Sequence, residues 1–162
     1  MSKMTFGEKQ TDPTTPMHWR GDMQADYFYP AGIAGDKFFK HLKTNDSFLA
    51  STCDKCGKIY CPSRLYCEDC FEEIPENAWK EVPASGTVRL YTIATLNAHG
   101  EKLENPTVVA LIDVDQTTSS MLGIINLVDL NKDYTGLKVK AVLRSKEKRE
   151  GTMKDIIHWE LL

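Results

Sequence analysis

Apolar and polar positions alternate most clearly in the second half of the chain. Stretches with this period of two, which is typical of strands, cover residues 87–96, 107–114, 119–128, 137–144 and 155–161. In the first stretch, Val88 and Leu90 fall on one face, and Tyr91 and Ile93 fall on the other. A long first strand and an irregular link between the third and fourth strands predict a small five-stranded Greek-key barrel of the OB type.

The first half of the chain has a short helical pattern, and the apolar and polar residues that follow it are less regularly spaced. Asp36 is placed to cap a helix that begins at Lys37 and has two phenylalanines and a leucine on its apolar side. Residues 47–52 are expected to be extended, and residues 71–82 are acidic and loop-like, with Trp79 as an anchor. The chain is therefore predicted to be mainly β, with one short helix.

Two C-x-x-C pairs separated by a ten-residue spacer form the strongest chemical signal in the chain. The pairs are Cys53/Cys56 and Cys67/Cys70. Each pair can place two thiolates on one side of a tight turn, and two such turns facing each other form a tetrahedral cage that suits zinc. Gly57 follows the second cysteine, where the turn needs a residue free to take a positive φ.

Two alternatives to zinc stay open from the spacing alone. The four cysteines could form two disulfides, although nothing else in the chain indicates secretion. Iron in a rubredoxin-like site would use the same ligands. In either metal case four thiolates leave no open coordination position, so the site is predicted to be structural rather than catalytic.

Length and charge narrow the class of protein further. The 162 residues can hold a small metal module and one compact β domain. A formal net charge of -3 argues against a general nucleic-acid binder, which is usually strongly basic. We find no apolar run long enough for a transmembrane helix and no signal-peptide pattern at the N-terminus, so a cytoplasmic location is expected.

Changes in residue composition along the chain predict three regions. Residues 1–34 form an extended tail and partner-contacting segment, residues 35–82 form the helix and the zinc ribbon, and residues 83–162 form the barrel. Within the first region, residues 1–17 are polar and are expected to be mobile, whereas residues 18–30 are rich in aromatic groups that are typical of an interface. Packing of these aromatic groups onto their own domain is the alternative.

The order of these regions resembles a family of acyl-CoA-associated proteins, long catalogued as a domain of unknown function, in which a rubredoxin-like zinc ribbon precedes an OB barrel. The shared features are the helix F-F-K-H-L, the C-x-x-C-G of the first cysteine pair, P-S-R-x-x-C-x-x-C over 62–70, Trp79, G-T-V-x-x-Y-T over 86–92 and G-x-x-V over 136–139. Ser63 replaces the usual second proline of the family, and Cys61 is an additional cysteine. The N-terminal extension looks like that of the zinc-finger subunits of benzoylsuccinyl-CoA or acetoacetyl-CoA type thiolase complexes.

The resemblance implies an accessory subunit that docks on a thiolase-like catalytic subunit and helps to enclose a coenzyme A thioester. The residues agree with a non-catalytic role, because Cys61 is the one cysteine outside the metal set and is expected to be a small buried hydrophobe. Contacts with the coenzyme phosphates would need cationic side chains. The cationic candidates are Arg64, Lys138, Lys140 and Arg144.

Two other functions compete with this interpretation. Ribbons and OB barrels both bind single-stranded nucleic acid, for which Tyr91 and its neighbours would have to supply the stacking platform. The acidic balance of the chain counts against that function. A free-standing acyl-CoA-binding protein is the third possibility, and it would bind coenzyme A without a partner.

Overall fold

The structure is a computed structural model that describes residues 29–97, 99–126, 129 and 131–162. Contacts separate residues 1–30 from residues 31–162, and every element below belongs to the second unit. The predicted mobile tail and most of the aromatic segment over 18–30 lie outside the described residues. Among the described residues, no helix is both long enough and apolar enough to cross a bilayer.

One helix and eight strands are defined in the described residues. The helix is α1 (Gly32–Thr44), and the strands are β1 (Ser47–Thr52), β2 (Ile59–Tyr60), β3 (Trp79–Pro83), β4 (Ser85–Leu96), β5 (Lys102–Val114), β6 (Ser120–Ile125), β7 (Lys138–Leu143) and β8 (Ile156–Leu161). Short 3-10 turns precede β3 and β8, and a third follows β7. The mainly β class predicted from the alternation is confirmed.

The first three strands form a small antiparallel sheet in the order β2-β1-β3. The extended segment predicted over 47–52 is β1, and it pairs with β3 from Ser47 opposite Pro83 to Ser51 opposite Trp79. The loop predicted over 71–82 is therefore wrong at its end, because these residues become a strand when β1 offers them a hydrogen-bonding edge. This sheet holds the two cysteine turns, which leave from β1 and return before β3.

The last five strands close into a barrel in the order β4-β5-β6-β8-β7, and β7 pairs back to β4. All neighbours are antiparallel except β6 and β8, which run parallel and meet at Ile125 and Trp159. A five-stranded barrel in which the third and fifth strands are parallel neighbours is the OB order, so the predicted barrel is confirmed. The long link between β6 and β7 includes Tyr134, whose side chain is fully buried.

A β-bulge changes the face assignment within β4. The register with β5 shifts between Val88 and Leu90, which inserts one extra residue and reverses the alternation beyond it. Val88 is buried, Leu90 is 62% exposed, and Tyr91 and Ile93 pack against the core. The predicted grouping of Val88 with Leu90 is therefore wrong, because a strict period of two does not continue across a bulge.

Helix α1 begins earlier than the sequence pattern predicts. Its N-cap is Ala31, which makes no side-chain capping bond, and the first helical residue is Gly32. The predicted start at Lys37 is wrong, and Asp36 lies inside the helix, where its carboxylate accepts a 2.7 Å bond from Lys40 Nζ one turn later. The helix ends before Asn45, as expected from the sequence.

One continuous core joins the helix, the ribbon sheet and the barrel. Phe38 and Leu42 of α1 and Phe48 of β1 belong to the same buried cluster as Trp159 of β8. The rings of Phe48 and Trp159 lie 6.1 Å apart between centroids, which links the two sheets directly. The cysteine turns are therefore held on a rigid base, while the region boundaries predicted from sequence stay predictions.

Candidate metal centre

The first cysteine turn is closed by two backbone hydrogen bonds. Gly57 N–H donates to the carbonyl oxygen of Cys53 over 2.8 Å, and Cys53 N–H donates to the carbonyl oxygen of Lys58 over 2.8 Å. Gly57 has a φ of +72°, which places it in the left-handed region where glycine is favoured. The positive φ predicted for this residue is confirmed, and it lets the chain reverse tightly around the sulfurs.

The second cysteine turn repeats the same backbone pattern. Phe71 N–H donates to the carbonyl oxygen of Cys67 over 3.0 Å, and Cys67 N–H donates to the carbonyl oxygen of Glu72 over 2.9 Å. Tyr66 and Glu73 form an antiparallel bridge at the base of this turn. The two turns are thus matched zinc knuckles, each of which places a C-x-x-C pair on one side of the backbone.

The structure brings all four predicted ligands together. The sulfur atoms of Cys53, Cys56, Cys67 and Cys70 lie within 4.8 Å of one another, and the Cys56 and Cys67 sulfurs are 3.6 Å apart. Tetrahedral coordination with metal–sulfur bonds of about 2.3 Å requires sulfur–sulfur distances of about 3.8 Å. The four cysteines therefore form a zinc-binding ribbon site with no fifth protein ligand among the described residues.

Electrostatics around the sulfurs also favour a bound cation. The hydroxyl of Tyr60 lies 3.2 Å from Cys67 Sγ, and this hydrogen bond lowers the pKa of the Cys67 thiol to about 6. Burial and the neighbouring thiols of Cys56 and Cys67 raise the pKa of Cys70 to about 12. Four thiolates at this separation repel one another, so full ionisation of the set needs a metal ion.

Arg64, a predicted coenzyme contact, lies beside the metal site. Its guanidinium stacks over the ring of Tyr60 at 5.0 Å and donates to Glu68 over 2.6 Å. Because Tyr60 in turn contacts the Cys67 sulfur, Arg64 packs against the outer shell of the metal site. Its backbone N–H also donates to Ser51 Oγ over 2.8 Å, which holds the spacer between the knuckles against β1.

The fifth cysteine is buried away from the metal ligands. Cys61 is 3% exposed, and burial raises the pKa of its thiol to about 12. It is therefore a neutral thiol at physiological pH rather than a nucleophile, as expected for a small buried hydrophobe. Its backbone N–H donates to Ser119 Oγ over 3.1 Å and so attaches the ribbon to the turn between β5 and β6.

The other three predicted cations, Lys138, Lys140 and Arg144, lie on β7 or directly after it. Lys138 is paired with Asp115 over 2.7 Å, and Arg144 is paired with Glu150 over 3.7 Å. Lys140 is exposed on β7, and among the described residues no carboxylate pairs with it. The four predicted coenzyme contacts therefore lie in two parts of the chain: Arg64 is in the ribbon, and the other three are on or directly after β7.

Arg149 is a buried cation whose role sequence reasoning missed. Its guanidinium donates to the carbonyl oxygens of Leu42, Asn45 and Arg144 over 3.2, 2.6 and 2.7 Å and pairs with the carboxylate of Asp46. The pKa of Asp46 is lowered chiefly by this hydrogen bond. Arg149 therefore joins the end of α1 to the barrel, and no local pattern around it in the sequence indicates this contact.

A four-thiolate ribbon that shares its core with a five-stranded OB barrel defines the class of zinc-ribbon/OB proteins. The family model described as ChsH2, rubredoxin-like zinc ribbon domain, matches residues 45–76 of the chain. A DUF35 domain-containing scaffold protein of Methanocaldococcus jannaschii is 27% identical over 110 residues, which cover 65% of this chain and 74% of the relative. A protein of the same description from Methanothermobacter thermautotrophicus is 24% identical over 115 residues, with 70% and 83% coverage.

Solved structures share the fold of this chain. A DUF35 protein of unknown function from Sulfolobus solfataricus is 29% identical and superposes with a TM-score of 0.58, covering 80% of this chain and 84% of that one. A chain of the Ltp2-ChsH2(DUF35) aldolase shares the fold, with a TM-score of 0.54 at 20% identity and coverage of 75% and 92%. Together these findings support the DUF35 zinc-ribbon family for this chain, in agreement with the zinc-ribbon and barrel features of the resemblance found in its sequence.

Proposed function

We propose that the chain is a non-catalytic accessory subunit of a thiolase-type acyl-CoA acyltransferase complex. In this proposal it docks on the catalytic subunit and helps to enclose the coenzyme A thioester. Relatives described as scaffold proteins support a role in assembly, and a neighbour with the same fold comes from a structure that pairs a DUF35 chain with a second component, Ltp2. The thiolase partner is inferred from the sequence resemblance.

An exposed apolar row on the outside of the barrel is the observation that most supports docking. Leu90 of β4, Leu111 of β5 and Leu122 of β6 are direct cross-strand neighbours on the outer face. Leu90 is 62% exposed and Leu122 is 72% exposed. Aligned large aliphatic side chains of this kind are typical of a surface that another protein covers.

The apolar surface continues beside this row. Ile124, which is 49% exposed, lies opposite the half-buried Val109 in the neighbouring row. Where β6 and β8 run parallel there is a cleft of about 200 Å³, which Met153 and Ile157 also line. We call the surface formed by Leu90, Leu111, Leu122, Val109, Ile124, Met153 and Ile157 the outer apolar face.

The thiol chemistry of the chain supports assigning the acyl-transfer groups to the partner. Acyl transfer by a thiolase needs an ionised cysteine and a second proton-transferring group. Four cysteines share the metal site, and the pKa of Cys61 is about 12. The contribution proposed for this subunit is to exclude water and to orient the thioester as one wall of a tunnel.

Coenzyme phosphates require cations that are not already committed to carboxylates. Arg64, Lys138 and Arg144 each have a carboxylate partner within the chain. Lys140 is therefore the strongest of the four predicted contacts, because its ammonium group is exposed and pairs with no carboxylate among the described residues. Zinc supplies structural rigidity in this proposal and does not touch the substrate.

The surface favours protein docking over the stacking of nucleic-acid bases. Tyr91, the predicted stacking platform, packs edge-on against Tyr134 with ring centroids 5.2 Å apart. Its hydroxyl also points to the carbonyl oxygen of Lys132 at 3.4 Å. The exposed groups on the neighbouring outer face are aliphatic instead, and aliphatic side chains do not provide the ring stacking that single-stranded nucleic acid uses.

Capture of the native partner tests the proposal. Affinity-tagged chain should retain a thiolase-type subunit of about 40 kDa from an extract of its own cell. Leu122→Glu should abolish this retention, whereas Leu162→Glu changes an equally exposed leucine outside the apolar rows and should not. Salt-sensitive retention on single-stranded DNA would instead support the nucleic-acid function, and coenzyme A binding without a partner would support a free-standing carrier.

A further inference from the structure

The two zinc knuckles have matched backbones but different residues at the same position. Gly57 and Phe71 each follow the second cysteine of a pair, and each donates its N–H to the first cysteine of that pair. Their φ angles are +72° and +56°, so both are left-handed. Glycine adopts this conformation without penalty, whereas a phenylalanine Cβ is crowded there.

The side chain of Phe71 offers no compensating contact within the described residues. Phe71 is 84% exposed, more than any other large hydrophobic residue among them. The small core of the ribbon is formed by Cys53, Cys67, Tyr60 and Ile74, and Phe71 is not a member of it. The chain therefore has a bulky aromatic residue where backbone geometry favours glycine, and the ring gains no burial in return.

The charges around Phe71 indicate what kind of surface would cover it. Residues 65–79 contain five carboxylates. Four of them pair with cations elsewhere in the chain: Glu68 with Arg64, Asp69 with Lys58, Glu72 with Lys55 and Glu76 with Lys37. Glu72 directly follows Phe71 and is paired with Lys55 over 2.7 Å. Glu73 comes next, and within the described residues no cation pairs with it. A partner pocket that accepts the ring would therefore match this knuckle best with a cation at the side of its rim that faces Glu73.

We propose that Phe71 is an anchor residue with which the second knuckle inserts into an apolar pocket of the partner enzyme, where a lysine or arginine at the rim faces Glu73. This inference rests on the proposed accessory function and adds a second contact to the outer apolar face. An aromatic side chain buried at the centre of an interface commonly dominates its affinity. Because Cys70 and Phe71 are consecutive, metal binding also fixes the direction in which the ring projects.

Phe71→Gly separates a binding role from a folding role. Glycine relieves the left-handed backbone, so the variant should keep one zinc per chain and a melting temperature within about 5 °C of the parent. Its affinity for the captured partner subunit should fall by about tenfold or more, because the anchor is lost. Phe71→Asn also tolerates the left-handed region and should behave in the same way.

Charge variants test the rim of the pocket. Glu73→Lys should weaken the complex and reduce its sensitivity to salt, whereas Glu104→Lys places the same charge change on exposed β5 and should do neither. Affinities are measured by titrating the purified partner subunit onto each zinc-loaded variant.

The outcomes distinguish this inference from the function on which it rests. If the parent chain binds the thiolase-type subunit and either zinc-loaded Phe71 variant binds it equally well, the anchor is wrong and the accessory function stands. If the parent chain binds no thiolase-type subunit, the accessory function is wrong and the anchor falls with it. Loss of affinity in both Phe71 variants, with zinc retained, supports the anchor.

Discussion

At the scale of single residues, the buried cation Arg149 stabilises the join between helix and barrel. Its guanidinium satisfies carbonyl oxygens of Leu42 and Asn45 that the end of α1 leaves without helical partners. It also pairs with the exposed carboxylate of Asp46. Removing the side chain would leave these buried acceptors unsatisfied, which costs more than the loss of a surface ion pair.

Arg149→Ala should lower the free energy of unfolding by about 2–4 kcal/mol, because several buried hydrogen bonds are lost together. Lys146→Ala is the matched control, since Lys146 pairs with the same Asp46 over 3.4 Å but is exposed. Its expected effect is below about 0.5 kcal/mol. Urea denaturation of both variants measures the difference, and equal losses would show that Arg149 acts as an ordinary surface charge.

Asp155 makes the free energy of unfolding depend on pH. Burial alone would raise the pKa of this carboxyl, but backbone N–H groups of Glu150, Thr152 and Gly151 outweigh burial and hold the pKa below its ordinary value of 3.8. Because the pKa of Asp155 is lower in the folded protein than in the unfolded chain, the carboxylate stabilises the fold fully above pH 3.8. This stabilisation is lost as the pH falls through the pKa of the folded state.

Asp155→Asn should therefore flatten the decline of stability below that pH, besides lowering stability at neutral pH. Thermal melts of parent and variant between pH 3 and pH 7 measure this, with Glu104→Gln as a control at an exposed carboxylate. Parallel melting curves for parent and Asp155→Asn across the acid range would contradict the assignment.

The difference between what sequence could and could not predict is clear at this scale. The four cysteine ligands follow from local spacing, because each knuckle is made by neighbouring residues. Arg149 lies more than 100 residues along the chain from its partners in α1, and nothing local marks it as buried. The sequence likewise places Phe71 only in an acidic loop. A phenylalanine does not indicate a positive φ, so its left-handed conformation is seen only in the structure.

At the scale of elements, the strands were predictable and their irregularities were not. Alternation located all five barrel strands, but β4 contains a bulge after Val88 that reverses the outward face. That bulge places Leu90 in line with Leu111 and Leu122, so it creates part of the outer apolar face. The start of α1 and the identity of β3 were missed because they depend on packing and on pairing with a distant strand.

The metal site should behave as one folding unit with its outer shell. Cys67→Ser should abolish stoichiometric zinc and unfold the ribbon, because metal binding and ribbon folding share one free energy. Tyr60→Phe removes the hydroxyl that lies 3.2 Å from Cys67 Sγ and should weaken zinc affinity by about tenfold.

Tyr66→Phe is the control for that experiment, since Tyr66 is 59% exposed and borders the same spacer. Chelator competition gives the affinities, and metal analysis gives the stoichiometry, which should be one zinc per chain. A parent protein with neither zinc nor iron would overturn the metal site, and equal affinities for both tyrosine variants would remove the role of Tyr60.

At the scale of the whole molecule, the two sheets behave as one support for exposed surfaces. The shared core, through Phe48 and Trp159, ties the ribbon to the barrel. The outer apolar face and Phe71 both project from this support, whereas four cysteines form the metal site and Cys61 is buried. This arrangement agrees with the accessory function proposed above, in which the chain supplies binding surfaces and a partner subunit carries out acyl transfer.

Thioester turnover by the separated and reconstituted subunits tests this central claim most directly. Zinc-loaded chain alone should neither cleave nor condense acyl-CoA thioesters, and adding it to the captured thiolase-type subunit should restore the full activity of the native complex. The account would be contradicted if the isolated, zinc-loaded chain catalysed thioester cleavage or condensation at the rate of the complex.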